Sequence, residues 1–152
     1  MKWQCVEYAR RYWMLAGKPE PAFFGDIDSA SDIWDLKYAY AVADTSKTFP
    51  LLRFSQTRGE GYSSFPRVRD IIIYQKEMPD FPAGHVAVIV GVTFNSTHRL
   101  VYVAEQNWDS KQWVSPYYNY TRTIPFMHGD DGKGYYTLND TSGHILGWMR
   151  YE

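Results

Sequence analysis

The chain has a single cysteine, Cys5, in the stretch KWQCVEYARRY. A free cysteine on a helix is commonly a small buried hydrophobe. In the first turn of a helix, however, a thiol faces unpaired backbone amides, whose partial positive charge favours thiolate over thiol. Gln4, one residue earlier, is placed to offer its side-chain amide, beside the Cys5 N–H, to a developing oxyanion. Such a nucleophile needs a base and a group to orient the base. The segments GHVAVIVGVTF (Gly84 to Phe94) and RLVYVAEQNW (Arg99 to Trp108) supply candidates in His85, Glu105 and Asn107. The two segments read as a hairpin around the polar turn Asn95, Ser96, Thr97, His98. A turn centred on Asn95 places His85 opposite Glu105, and one centred on Ser96 places it opposite Asn107. Both registers put His85, Glu105 and Asn107 on one face, whereas a slip of one residue would set the Val86 face against Glu105. A carboxylate or amide beside an imidazole fixes its tautomer and stabilises the imidazolium, which is the orienting half of a nucleophilic triad.

The elements that must position these groups follow from periodicity. Apolar and aromatic positions recur at helical spacing from residue 5 to 16 (Cys5, Val6, Tyr8, Ala9, Tyr12, Trp13), and Gly17 and Pro19 stop the helix. A second helix is expected over residues 29–43, with Ile33, Leu36 and Tyr40 on one side. Thr45 to Arg67 is rich in Ser, Thr, Gly and Pro and is expected to be a long irregular connection bordering the site. From Asp70 the period changes to two, so strands are expected at 70–74, along the hairpin, and near 120–124, 135–138 and 145–150. Helices first and an antiparallel sheet afterwards define an α+β fold, and 152 residues suit one domain spanning 1–152.

Composition narrows the classes of function. Lys plus Arg number 16 against 17 Asp plus Glu, with no basic run, so nucleic acid is not an expected partner. No apolar run approaches the roughly 20 residues that span a bilayer, and no membrane partner is expected. One cysteine rules out an internal disulfide and, with no recognisable secretory leader, suits a reducing, cytoplasmic setting. The four histidines and one cysteine show no zinc spacing, and no metal or other cofactor is expected. Gly129 to Gly134 (GDDGKG) lacks P-loop spacing and reads as a polar turn. His98, His128 and His144 are expected to be solvated. Aromatic residues make up 18% of the chain, which fits either a ring-rich core or an aromatic groove around Tyr117, Tyr118 and Tyr120.

The blocks KWQCVEYARRYW, GHVAVIVGV, VYVAEQNW and HILGWM, in that order, resemble the amidase domain of bifunctional glutathionylspermidine synthetase/amidase, within the CHAP group of cysteine amidohydrolases and peptidases. The resemblance implies a papain-like fold with Cys5 as nucleophile, His85 as general base and Glu105 as its orienter. It also implies that Gln4, Arg10 and Asn107 line the substrate site, with Arg10 clamping a glutathione carboxylate. The implied reaction is hydrolysis of the amide joining glutathione to spermidine through a cysteine thioester. The synthetase portion has no counterpart here, so a separate synthetase is a candidate partner. Members of the group commonly carry some tens of residues ahead of the cysteine block. With four here, the N-terminal segment is expected to be missing, or the terminus held by packing of Trp3. Two other readings of the same fold are a hydrolase of peptidoglycan peptides and a catalytically silent binding module.

Overall fold

A computed structural model describes residues 4–57, 64–106, 120–129 and 134–152. Helix α1 (Gln4–Ala16) precedes strand β1 (Ala22–Phe24), a 3₁₀ helix at Ala30–Asp35, and strands β2 (Tyr38–Ala41), β3 (Thr48–Ser55) and β4 (Ile71–Tyr74). The hairpin strands β5 (His85–Phe94) and β6 (Arg99–Ala104) follow, then β7 (Arg122–His128), β8 (Tyr136–Leu138) and β9 (Ile145–Tyr151). The strands form one sheet in the order β1-β2-β3-β9-β4-β5-β6-β7-β8, with every pairing antiparallel. Among the described residues the molecule is thus mainly an antiparallel sheet with one α-helix. None of its described helices is long and apolar enough to cross a membrane.

Two expectations fail here for physical reasons. The helix expected over 29–43 is a single 3₁₀ stretch followed by β2. Tyr38 and Tyr40 are exposed while Ala39 and Ala41 are buried, so the period of two in YAYA outweighs the looser i, i+3, i+7 pattern. The connection expected over 45–67 contains β3, which pairs with β9 from Leu51↔Tyr151 to Ser55↔Gly147. Pro50 argued against a strand. It is accommodated because it lies at the start of β3, before the β9 ladder begins.

Strand β4 is buried on both sides. Ile71 and Ile73 enter a core completed by Val86, Val88, Met149 and Tyr151, against which α1 packs Val6, Ala9 and Trp13. Ile72 and Tyr74 enter the opposite core with Ala87, Ile89, Val101, Val103, Ile124, Phe126 and Trp148. The C-terminal end of α1 is tied down by polar contacts. Trp13 Nε1 donates to the Arg69 carbonyl at 2.8 Å, and Arg69 Nε donates to the Ala16 carbonyl at 2.7 Å, satisfying an otherwise unpaired helix carbonyl. Beside it, Arg150 Nε and Nη2 form a buried fork on the Asp70 carboxylate at 2.8 and 2.7 Å. This ties β9 to the residue just before β4.

Candidate active site

The helix spacing of Val6, Ala9 and Trp13 seats α1 on the sheet and delivers its first turn to the start of β5. Cys5 is partly buried there and hydrogen-bonds to the His85 side chain and to the backbone of Val86 and Val6. Burial pushes the thiol up, but the His85 hydrogen bond and charge and the two backbone contacts outweigh it, leaving Cys5 below its ordinary value. Gln4 opens the helix immediately before it, so the side-chain amide and the Cys5 N–H belong to the same turn.

His85 is held from several directions. Gly84, just before it, has φ of +73°, and a Cβ there would stand 2.6 Å from the Tyr74 carbonyl and 2.8 Å from the Ser31 side chain. Only glycine lets the chain enter β5 this tightly against the 3₁₀ helix. The His85 ring stacks on Phe81, with centroids 5.7 Å apart and planes inclined by 29°, and lies 5.4 Å from the Tyr74 ring. Nε2 meets Glu105 Oε2 at 2.9 Å, which leaves Nδ1 for the thiol. Burial lowers the imidazolium's affinity for its proton, while Cys5 and Glu105 raise it through hydrogen bonds and charge, to a pKa of about 9. Both shifts favour the thiolate–imidazolium pair over the neutral pair.

The hairpin brings His85 and Glu105 together by a route the sequence did not disclose. Phe94 pairs with Arg99 and Gly91 with Tyr102, so the ladder near the turn matches odd residues of β5 to even residues of β6. Continued unchanged, this is the slip that would separate His85 from Glu105. The register then shifts, with Ile89 opposite Val103 and Val88 opposite Ala104, leaving Val90 as the extra residue of a β-bulge. The cores record the switch: Val86, Val88 and Val90 face the α1 side, whereas Ala87, Ile89 and Val92 face away from it.

Glu105 is deeply buried, with no exposure of its side chain, and follows directly after β6. Its backbone N–H donates to Thr121 Oγ1 at 3.1 Å, and its Oε1 accepts from Arg122 Nε at 2.6 Å. Arg122 also donates from Nη1 to Asp140 at 2.9 Å and from Nη2 to the Tyr74 hydroxyl at 3.0 Å, and that hydroxyl donates to Asp140. Burial pushes Asp140 up, but Tyr74, the Ser142 N–H and Arg122 more than offset this, and its carboxyl lies below the ordinary range. Sequence reasoning missed this group. A signal was present: Arg122 shares parity with the buried Ile124 and Phe126, and an arginine on a core-facing strand position calls for an acidic partner.

Of the six residues singled out, the structure joins Cys5, His85 and Glu105 and sets Gln4 beside Cys5. Arg10 is engaged elsewhere: Nε and Nη2 donate to the carbonyls of Phe24 and Gly25 at 3.1 and 2.8 Å, and Asp26 stands 3.6 Å away. It borders a hollow of about 320 Å³ with Met14, Phe23 and Gly25. Asn107 lies outside the described residues, as do Trp3, Tyr117 and Tyr118. Tyr120 packs edge-on against Tyr102 at 4.9 Å.

A thiol, an imidazole and a carboxylate in series, borne by a first helix and a later sheet, now have a family context. The family model described as CHAP domain matches residues 1–107. The chain belongs to the CHAP domain family. This CHAP chain is 28% identical over its full 152 residues to a glutathionylspermidine synthase of Crithidia fasciculata, of which the match covers 19%. It is 31% identical over 156 aligned residues to bifunctional glutathionylspermidine synthetase/amidase of Escherichia coli (strain K12), covering 97% of the CHAP chain and 22% of that relative. The same figures hold for the Shigella flexneri enzyme. The CHAP chain thus spans about a fifth of the length of these relatives.

Proposed function

We propose that the chain is a papain-like cysteine amidase that hydrolyses the amide bond of a glutathione–polyamine conjugate of the glutathionylspermidine type. Family membership and amidase relatives matching nearly the whole chain support an amidase-type hydrolase. The observation that carries the cysteine mechanism is the unbroken series from the Cys5 thiol through His85 to the buried Glu105 carboxylate. In the first step the Cys5 thiolate attacks the amide carbonyl carbon. The C–N bond breaks as the His85 imidazolium protonates the departing amine, leaving a thioester on Cys5. Neutral His85 then takes a proton from water, whose oxygen attacks the thioester, and glutathione leaves with its carboxylate restored. The Gln4 amide and Cys5 N–H stabilise the oxyanion in both steps.

Arg10 lies about 7.5 Å along the helix axis from Cys5 and about 140° around it, so its guanidinium serves a part of the substrate away from the reacting carbonyl. There it fixes Gly25 and Asp26 and meets a glutathione carboxylate, and Asn107 is proposed as a further substrate-binding residue on the family resemblance alone. A separate synthetase is the proposed source of the conjugate.

The deciding experiment incubates the full chain separately with glutathionylspermidine and with purified peptidoglycan. Release of glutathione and spermidine, lost in Cys5→Ser, is the expected result. Clearing of peptidoglycan alone would transfer the same chemistry to cell-wall peptides. An unreactive thiol with neither activity would make the chain a binding module.

A further inference from the structure

The polar series that begins at Cys5 continues past Glu105. Arg122 sends its three nitrogens to three acceptors on three different segments: Glu105 after β6, Asp140 in the turn before β9, and Tyr74 on β4. Glu105 is fully buried in its side chain, Asp140 is 4% exposed and Arg122 18%. Ordered from the helix, the charged forms alternate in sign as Cys5 thiolate, His85 imidazolium, Glu105 carboxylate, Arg122 guanidinium and Asp140 carboxylate. Among the described residues, the groups facing the Glu105–His85 pair include Cys5 from α1, Tyr74 from β4, Arg122 from β7 and Asp140 from the β8–β9 turn, while Phe81 stacks on the ring without charge.

We propose that Arg122 is a positioning residue for the Cys5–His85 pair, aiming the Glu105 carboxylate at Nε2 and supplying the countercharge that lets Glu105 stabilise the imidazolium. This rests on the cysteine-amidase reading. A buried carboxylate with two cationic partners keeps its geometry only while both are present. The planar fork of arginine meets three acceptors at fixed angles. Without it, Glu105 loses one of its two charged partners, the imidazolium is held less well, and the thiol keeps its proton to higher pH.

The test needs no substrate: the alkylation rate of Cys5 by iodoacetamide is followed against pH in the full chain. Wild type is expected to react as an activated thiolate at pH 6. Arg122→Gln is expected to react about tenfold more slowly there, equivalent to a thiol pKa about one unit higher. In a Glu105→Gln background, Arg122→Gln is expected to add nothing, which a merely structural contribution would not produce. An Arg122→Gln profile that matches an activated wild type, or an effect that simply adds to Glu105→Gln, would overturn this proposal alone. A wild-type thiol behaving as free cysteine would overturn the cysteine-amidase reading and this proposal with it. Should Arg122→Gln fail to fold by circular dichroism, Asp140→Asn decides. Removing the competing acid leaves more of the guanidinium's charge to Glu105, so faster alkylation at pH 6 is expected, and an unchanged or slower rate would sink the idea.

Discussion

Two shifted groups share one proton at the site, with consequences for pH. His85 holds its proton up to about pH 9, and Cys5 releases its own below its ordinary value. The proposed hydrolysis needs both thiolate and imidazolium, so its rate is expected to rise as the thiol ionises and to fall as pH passes about 9. Alkylation of Cys5 needs thiolate alone and is expected not to fall on that alkaline limb. The linkage signs differ for the two groups. His85, raised in the fold, stabilises it fully below about 6.5 and loses this as pH rises through about 9. Cys5, lowered in the fold, stabilises it above the unfolded thiol value and loses this as pH falls through the folded one. As pH rises the two contributions oppose each other, that of His85 being lost while that of Cys5 is gained. Melting temperature is therefore expected to change less with pH in wild type than in Cys5→Ser, where the opposing thiol contribution is absent. His85→Ala is expected to return Cys5 to the alkylation profile of a free thiol, near 8.5.

At the scale of elements, the residue that decides the pairing is Val90, five positions along β5 from His85. Its place as the extra residue of the bulge returns β5 to the parity that puts His85 with Glu105. Deleting Val90 continues the turn-proximal register, so alkylation at pH 6 is expected to drop at least tenfold, to the level of His85→Ala. A retained fast thiol in a folded deletion variant would show that the ladder shifts elsewhere. Gly84→Ala is expected to slow hydrolysis by moving β5 from Tyr74 and Ser31, measured as lower kcat with folding intact. The bulge also marks what was legible beforehand. Cys5, His85 and Glu105 stood out because nucleophile, base and orienter are chemically distinctive residue types, and the strands β4, β5, β6 and β9 showed a clear period of two. Register is set by the energies of two competing ladders: near the turn the hairpin follows neither anticipated register, while beyond the bulge Val88↔Ala104 is the one centred on Ser96 and keeps the expected shared face. β2 and β3 were hidden for a related reason. β2 is only four residues long, and β3 finds its partner β9 about 95 residues away, a pairing that local pattern does not report. Arg122 stood within an anticipated strand, but the connection from β6 to β7 is too long to fix the diagonal contact with Glu105.

Across the molecule, the sheet's middle is secured by charge as well as by apolar packing. The Asp70–Arg150 fork is buried, and Arg150 also donates to the Phe65 carbonyl at 2.9 Å and lies 4.6 Å from the Phe54 ring centroid. Asp70→Ala strands that guanidinium and is expected to cost about 3 kcal/mol or more of stability in urea unfolding, with the thiol's alkylation profile unchanged in the folded variant. Such independence is expected because the fork stands at the opposite end of β4 from Tyr74, where the site is built. The site itself lies across the sheet. Cys5 packs with the core beneath α1, whereas His85 stacks among rings of the other core, and the two meet only around the leading end of β5. A thiol activated as proposed is then an internal reporter of concerted folding. Local opening on either side of the sheet is expected to return it to an ordinary cysteine before the chain as a whole has come apart.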